Sequence, residues 1–121
     1  MGDTIQKPGG DAGVVRIHGT EKAVAASVDS SAVYCFAHPL TGGKQVVCES
    51  WRNIISVGAE PIAITNCLNF GNPEKDKNMG EFVECVQGIS EASKYLNFPV
   101  VSGNVSFYNE TKDKGIKPTP S

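Results

Sequence analysis

Apolar and polar positions alternate along the chain in blocks that switch period several times. Val14-Val-Arg-Ile17 and Ala23-Val-Ala-Ala-Ser-Val-Asp29 read as strands, with His18-Gly-Thr-Glu-Lys22 as the turn of an antiparallel hairpin. Residues 30–43 carry no clear period. From Thr41 onward Val47, Trp51, Ile54 and Ile55 fall on one stripe, which predicts a helix capped by Thr41 and closed by Gly58. Ile62-Ala-Ile-Thr65 reads as a buried strand that empties into a polar loop, Asn66-Cys-Leu-Asn-Phe-Gly-Asn-Pro73. A second amphipathic helix is expected over Met79 to Leu96, with Phe82, Val83, Val86, Ile89 and Leu96 inward and Asn97 at its end. Phe98-Pro-Val-Val101 is the fourth strand, followed by a polar loop Ser102-Gly-Asn-Val-Ser106. One further short strand is expected around Ile116.

These elements predict one α/β (α+β) domain over residues 1–121, a four-stranded mixed sheet with helices on one face. Residues 1–7 and 111–121, polar and rich in glycine, lysine or proline, are expected to be flexible. There is no internal repeat.

Composition changes this picture little. The length and apolar content suit a single core. A net charge of −2 gives no long-range attraction for nucleic acid or an anionic membrane. No apolar run is long enough to span a bilayer and the start lacks a signal peptide's apolar segment, so a cytoplasmic protein is expected. Cys35, Cys48, Cys67 and Cys85 form no C-x-x-C pair and are expected as reduced, buried or half-buried thiols.

Three features could carry chemistry. Glu49 and Asn53, four apart on one helix, project together, and with Asp29 they offer oxygen ligands for a hard cation such as magnesium. Spacing alone favours a solvated polar face. The asparagine-rich stretches at Asn66 and Gly103-Asn104 suit phosphate, ribose or base recognition, although Asn and Gly are also ordinary turn residues. Pro8-Gly-Gly-Asp-Ala-Gly13 and Thr41-Gly-Gly-Lys44 lack the full spacing of a phosphate loop and read as turns. His18 and His38 have no triad partners and are expected at the surface or in turns.

Taken in order, Pro8-Gly-Gly-Asp-Ala, Gly42-Gly-Lys44, Glu49-x-x-x-Asn53, Val57-Gly-Ala59 with Pro61, Asn66-Cys-Leu-Asn-Phe-Gly-Asn-Pro-Glu-Lys75 and Ser102-Gly-Asn-Val-Ser-Phe-Tyr-Asn-Glu110 resemble one family. It is phosphoribosylformylglycinamidine synthase, in its small multi-subunit form. The resemblance covers about residues 6–120 and implies the second of two aminoimidazole-ribonucleotide-synthetase-like N-terminal domains, which pair their sheets into a barrel. It further implies an ATP-dependent conversion of formylglycinamide ribonucleotide to its amidine. The ammonia comes from glutamine on a separate amidotransferase subunit, and a small accessory subunit is also expected. By the same resemblance Asn66 and Gly103 would contact ATP, Asn104 would bind magnesium and Ser106 the substrate. Asp29, Glu49 and Asn53 would hold magnesium at an auxiliary nucleotide, and the catalytic histidines would lie outside this segment.

The chain departs from the family pattern at Asp29-Ser-Ser-Ala-Val-Tyr34 and His38-Pro-Leu-Thr41, where an arginine and two acids are missing. Asn66 stands where some members have Asp. Two other classes are carried alongside: a different ATP-dependent synthetase or kinase of the same superfamily, and a non-catalytic module whose exposed strands pair with another chain. An unpaired sheet predicts self-association of the segment alone.

Overall fold

The computed structural model describes residues 3–7 and 9–121. Pro8, the first residue of the expected glycine turn, lies outside the described residues. The chain opens with the predicted hairpin, β1 (Gly13–Arg16) and β2 (Ala23–Ala26), paired antiparallel from Gly13↔Ala26 to Arg16↔Ala23. Asp3 to Ile5 runs along the free edge of β1, with Ile5 N–H donating to Val14 O and Arg16 N–H to Asp3 O. The second strand stops at Ala26 rather than Asp29. Beyond it the side chains turn to α2 (Pro39–Ser56), where Ser27 Oγ lies 3.0 Å from Ser50 Oγ.

A short helix that the sequence did not announce, α1 (Ala32–Ala37), precedes α2. Six residues are too few to display a period. The N-cap of α2 is His38, not Thr41: its Nδ1 accepts from Thr41 N–H at 3.4 Å, and Pro39 follows at the first helical position, where its missing donor costs nothing. Gly58 closes the helix at φ +79°, a backbone angle that glycine adopts without strain. Val47 and Ile54 are buried and Trp51 packs on the core, but Ile55 is exposed and Val46 takes its place inside.

α3 (Asp76–Tyr95) likewise buries a narrower stripe than expected. Cys85, Gly88, Ile89 and Ala92 face inward, while Val83 and Val86 lie out in solvent. The small side chains on this stripe explain the helix contact. A Cβ on Gly43 would overlap the carbonyl of Cys85, one on Gly88 would overlap that of Leu40, and one on Gly42 would fall 2.6 Å from the Cys35 backbone. Gly42 and Gly43 are therefore buried inside a helix where backbones touch, not in a turn.

The sheet is built from β3 (Ile64–Asn69), β4 (Val100–Ser106) and β7 (Thr119–Pro120), in the order β4-β3-β7. β3 and β4 are parallel and β7 is antiparallel to β3, so the sheet is mixed, as expected. It has three strands, not four. The hairpin forms its own two-stranded sheet, and residues 119–121 take the carboxyl half of β3's second edge, including a reciprocal pair of backbone bonds between Cys67 and Ser121. The chain beyond β2 meets this edge at Ser30, whose Oγ donates to Pro120 O at 2.9 Å.

Residues 110–121 hold three short strands where one was expected around Ile116: β5 (Glu110–Thr111), β6 (Lys114–Gly115) and β7. Pro118 and Pro120 are fully buried, so the end of this segment is packed against the domain, while residues 111–117 are exposed. The core joins Leu68 and Phe70 to Val46, Val47, Cys85, Ile89, Ala92 and Phe98, and Phe70 meets Phe82 edge-on at 5.2 Å. All four cysteines are free, and Cys67 is exposed, against expectation. The hydrogen bond with Cys35, then burial, push the Cys85 thiol up, which makes it a packing group and not a nucleophile. No helix among the described residues is long and apolar enough to cross a membrane.

Candidate functional site

The two stretches expected as polar loops are strands. Asn66 to Asn69 completes β3 and Ser102 to Ser106 completes β4, with Asn66↔Gly103, Cys67↔Asn104, Leu68↔Val105 and Asn69↔Ser106 as partners. Their polarity concealed them, because the alternation that marks a strand needs apolar residues on one face, and in β4 no residue is buried. The parallel ladder pairs the facing backbone groups of the two strands, while β4 keeps its outer edge open.

Strand alternation sorts those side chains. Leu68 is buried under the helices, so Asn66, two residues earlier, shares its face, and so do their partners Val105 and Gly103. A Cβ on Gly103 would overlap Asn66 Oδ1, which places the Asn66 amide directly over that glycine. Thr65, Cys67, Asn69, Ser102, Asn104 and Ser106 point the other way, onto a face that no helix covers. The four residues expected around ATP and substrate are thus split: Asn66 and Gly103 stand on the helix side, Asn104 and Ser106 on the open side.

On the helix side Asn66 separates two spaces. A cleft of about 590 Å³ between the end of α3 and the start of the sheet is lined by Asn66, Ser90, Ser93, Lys94 and Asn97. Ser93 is 8% exposed, and its hydroxyl has no partner among the described residues. A cavity of about 250 Å³ lies on the other side, bounded by Asp29, Ser50, Thr65, Asn66 and Cys67.

Asp29 and Asn53, predicted to meet, do so. Asn53 Nδ2 donates to Asp29 Oδ1 at 2.6 Å. Asp29 Oδ2 is buried with no hydrogen-bond partner among the described residues, an arrangement that costs free energy unless a donor or cation completes it. Glu49 sits one turn before Asn53 on α2 and is exposed. Carboxylate and amide oxygens are the donor set a hard cation takes, so these residues fit magnesium chemically. Among the described residues no three His, Cys, Asp or Glu side chains gather into a metal cluster.

Sequence reasoning passed over the rim where the strands end. Glu110 accepts from Asn72 N–H at 3.1 Å and from Lys75 Nζ at 2.9 and 3.0 Å, and Lys75 also donates to Asp113 O at 3.2 Å. The Lys75 ammonium, then the Asn72 N–H, hold the Glu110 carboxyl below its usual range. Asn109 closes over the strand ends beside it. Both residues lie within the nine-residue motif that begins at Ser102, which was the available signal. His18 lies in an exposed turn with its Nε2 2.9 Å from Asp3 Oδ1, and His38 is the cap of α2.

A mixed sheet with long helices on one side and an open polar face on the other is the architecture of an AIR-synthase-type domain. Residues 9–121 match the model of the AIR synthase related protein, N-terminal domain, and the chain belongs to that family. It is 85% identical over all 121 residues to phosphoribosylformylglycinamidine synthase subunit PurL of Pelagibacter ubique and 59% identical to that of a Bradyrhizobium species. The chain spans 17% and 16% of the length of those curated relatives. Thermotoga maritima PurL complexed with ATP superimposes with a TM-score of 0.89 at 36% identity, covering 98% of this chain and 20% of that one. The same protein complexed with FGAR gives 0.90, again at 36% identity, over 98% of this chain and 19% of that one. AaThiL complexed with AMPPCP and TMP, at 18% identity, TM-score 0.65 and 92% and 34% coverage, shares the fold.

Proposed function

We propose that this chain supplies one wall of the active site of a phosphoribosylformylglycinamidine synthase. That enzyme uses ATP to convert formylglycinamide ribonucleotide to its amidine in cytoplasmic purine synthesis. The observation that carries the reading is Asn104 and Ser106 side by side on the uncovered face of β4, within a chain 85% identical throughout to a PurL subunit. Residues two apart on a strand stand about 7 Å from each other, a span that suits a metal-bound phosphate next to a second ligand.

In this reading Asn104 holds magnesium on the nucleotide and Ser106 meets the substrate. Asn66 and Gly103, assigned to ATP by the same resemblance, face the helices, where the Asn66 amide fills the space over Gly103, so any contact they make with the nucleotide that Asn104 serves is through the strand backbone. The unpartnered oxygen of Asp29, with Asn53 and Glu49, serves a second magnesium at an auxiliary nucleotide. Magnesium when bound neutralises phosphate charge, and this chain's part is to hold it with fixed oxygens. Thermotoga maritima PurL complexed with ATP and with FGAR supports ATP and FGAR as the ligands of such a site.

The open sheet face and the exposed apolar residues in and next to the hairpin, Val15, Ile17, Val24 and Val28, support pairing with a second such domain into a barrel. The amidotransferase and small accessory subunits complete the enzyme. For the segment alone the same surfaces predict self-association, and light scattering showing a stable monomer at high concentration would count against it.

The test is amidine formation by a full-length synthetase chain carrying this segment, assembled with its glutaminase and small partner. Asn104→Ala and Ser106→Ala should each impair ATP-dependent turnover. Full activity in both variants would sink the assignment.

A further inference from the structure

The geometry assigns Asn109 as the positioning residue for Ser106, a role that rests on the substrate reading of Ser106 and adds to it. The side chain of Asn109 lies across the carboxyl ends of both central strands. Its Nδ2 donates to Phe70 O, just past β3, at 2.9 Å and to Ser106 O, the last residue of β4, also at 2.9 Å. Carbonyl oxygens only accept, so these two contacts fix which end of the amide is nitrogen. Ser106 Oγ then sits 3.3 Å from Asn109 Oδ1 and 3.2 Å from Nδ2, within reach of both ends of the same amide.

The backbone holds Asn109 in turn. Its N–H donates to Phe70 O at 3.2 Å, its carbonyl accepts from Ile116 N–H at 3.0 Å, and Phe70 N–H donates to Ser106 O at 3.0 Å. Tyr108, next to it, adopts φ +59°, a left-handed conformation that costs a non-glycine residue energy and turns the chain back so that Asn109 meets the strand ends. A serine hydroxyl otherwise samples three rotamers. Asn109 selects one of them, and the substrate then meets a hydroxyl already oriented.

The experiment is a double-mutant cycle in a full-length synthetase chain, reading the dissociation constant of formylglycinamide ribonucleotide by calorimetry and the thermal midpoint in parallel. Ser106→Ala is expected to weaken binding about tenfold, the loss of one hydrogen bond of about 1.4 kcal/mol. Asn109→Ala and Asn109→Asp are expected to weaken it about threefold to tenfold, the scale of freeing one side-chain rotamer. The Ser106→Ala/Asn109→Ala pair should bind no worse than Ser106→Ala alone, because Asn109 acts through that hydroxyl.

Losses that multiply in the double variant would overturn the inference while leaving the role of Ser106 standing. So would Asn109 variants that lower the thermal midpoint and leave binding unchanged, or that do not fold at all, since either marks a residue that only holds the fold. Unaltered binding in Ser106→Ala would instead remove the substrate reading itself, and this inference with it.

Discussion

One side of the β3–β4 ribbon presses Ile64 and Leu68 toward the two long helices, while the other presents Thr65, Cys67, Ser102 and Asn104 to solvent. The two sides share one backbone and one set of ladder bonds, yet they obey different constraints. On the covered side a side chain must fit a closed volume, and its contribution is hydrophobic burial. On the open side a polar group keeps its hydration and costs the fold little, so its identity is free to be set by a ligand. Substitutions should therefore separate by side, stability moving on one and binding on the other.

The largest expected effect is on the covered side. Phe70 is 1% exposed and stacks edge-on against Phe82, which stacks on Phe107 at 5.1 Å. Phe70→Ala should cost about 3–5 kcal/mol in urea unfolding, through lost burial and a cavity the helices cannot close. A loss below about 1 kcal/mol would show that this side is not the source of stability, and the contrast between the two sides would fail.

Asn104→Ala tests the opposite side. Its expected cost is about a hundredfold in ATP-dependent turnover, equivalent to about 2.7 kcal/mol, against a change in unfolding free energy within about 0.5 kcal/mol. Measuring both quantities on one preparation sharpens the comparison. An unfolding loss as large as the kinetic one would mean that the open side is structural after all.

Gly88→Ala returns to the covered side with a smaller effect. The added methyl would overlap Leu40 O, so α2 and α3 must separate, at about 1–3 kcal/mol in the same urea experiment. Unchanged stability would show that the helices give way freely there.

The contrast also explains what could be read from the sequence. α2 and α3 were legible because eighteen and twenty residues display a helical period, and the hairpin because its turn is short. The inward stripe of α3 was misjudged at Val83 and Val86 because its true core residues are small. Gly42, Gly43 and Gly88 were illegible for a related reason: the missing Cβ that permits a turn equally permits two helices to touch. β3 and β4 were cut short at Asn66 and Ser102, since strand patterns are recognised by a buried side and the informative side here is the open one. The candidate site became legible only through motif resemblance. Spacing paired Glu49 with Asn53 and strand order added Asp29, which bonds Asn53 at 2.6 Å, but Phe70, which Asn109 bridges to Ser106, and Lys75, the partner of Glu110, lie 39 and 35 positions away, beyond any local pattern.

The smallest effect is expected at the rim, where the two sides meet and the Glu110–Lys75 pair ties the loop after β3 to β5. Lys75 and the Asn72 N–H lower the Glu110 pKa below the value of about 4.3 that a free glutamate shows. A depressed folded pKa means that the unfolded chain binds the proton more readily. The pair's contribution is thus fully present above that ordinary value, and it fades as pH falls through the lower folded one. Carboxyl titration by NMR should place Glu110 below the exposed glutamates, and Lys75→Met should return it toward them. In Glu110→Gln the Asn72 amide should exchange with solvent at a rate that no longer rises through this acid window beyond its intrinsic pH dependence. If the parent and Glu110→Gln show the same acid profile at Asn72, the pair does not hold the rim. The order of the strand ends then rests on Asn109 and on backbone bonds such as Phe70 N–H to Ser106 O.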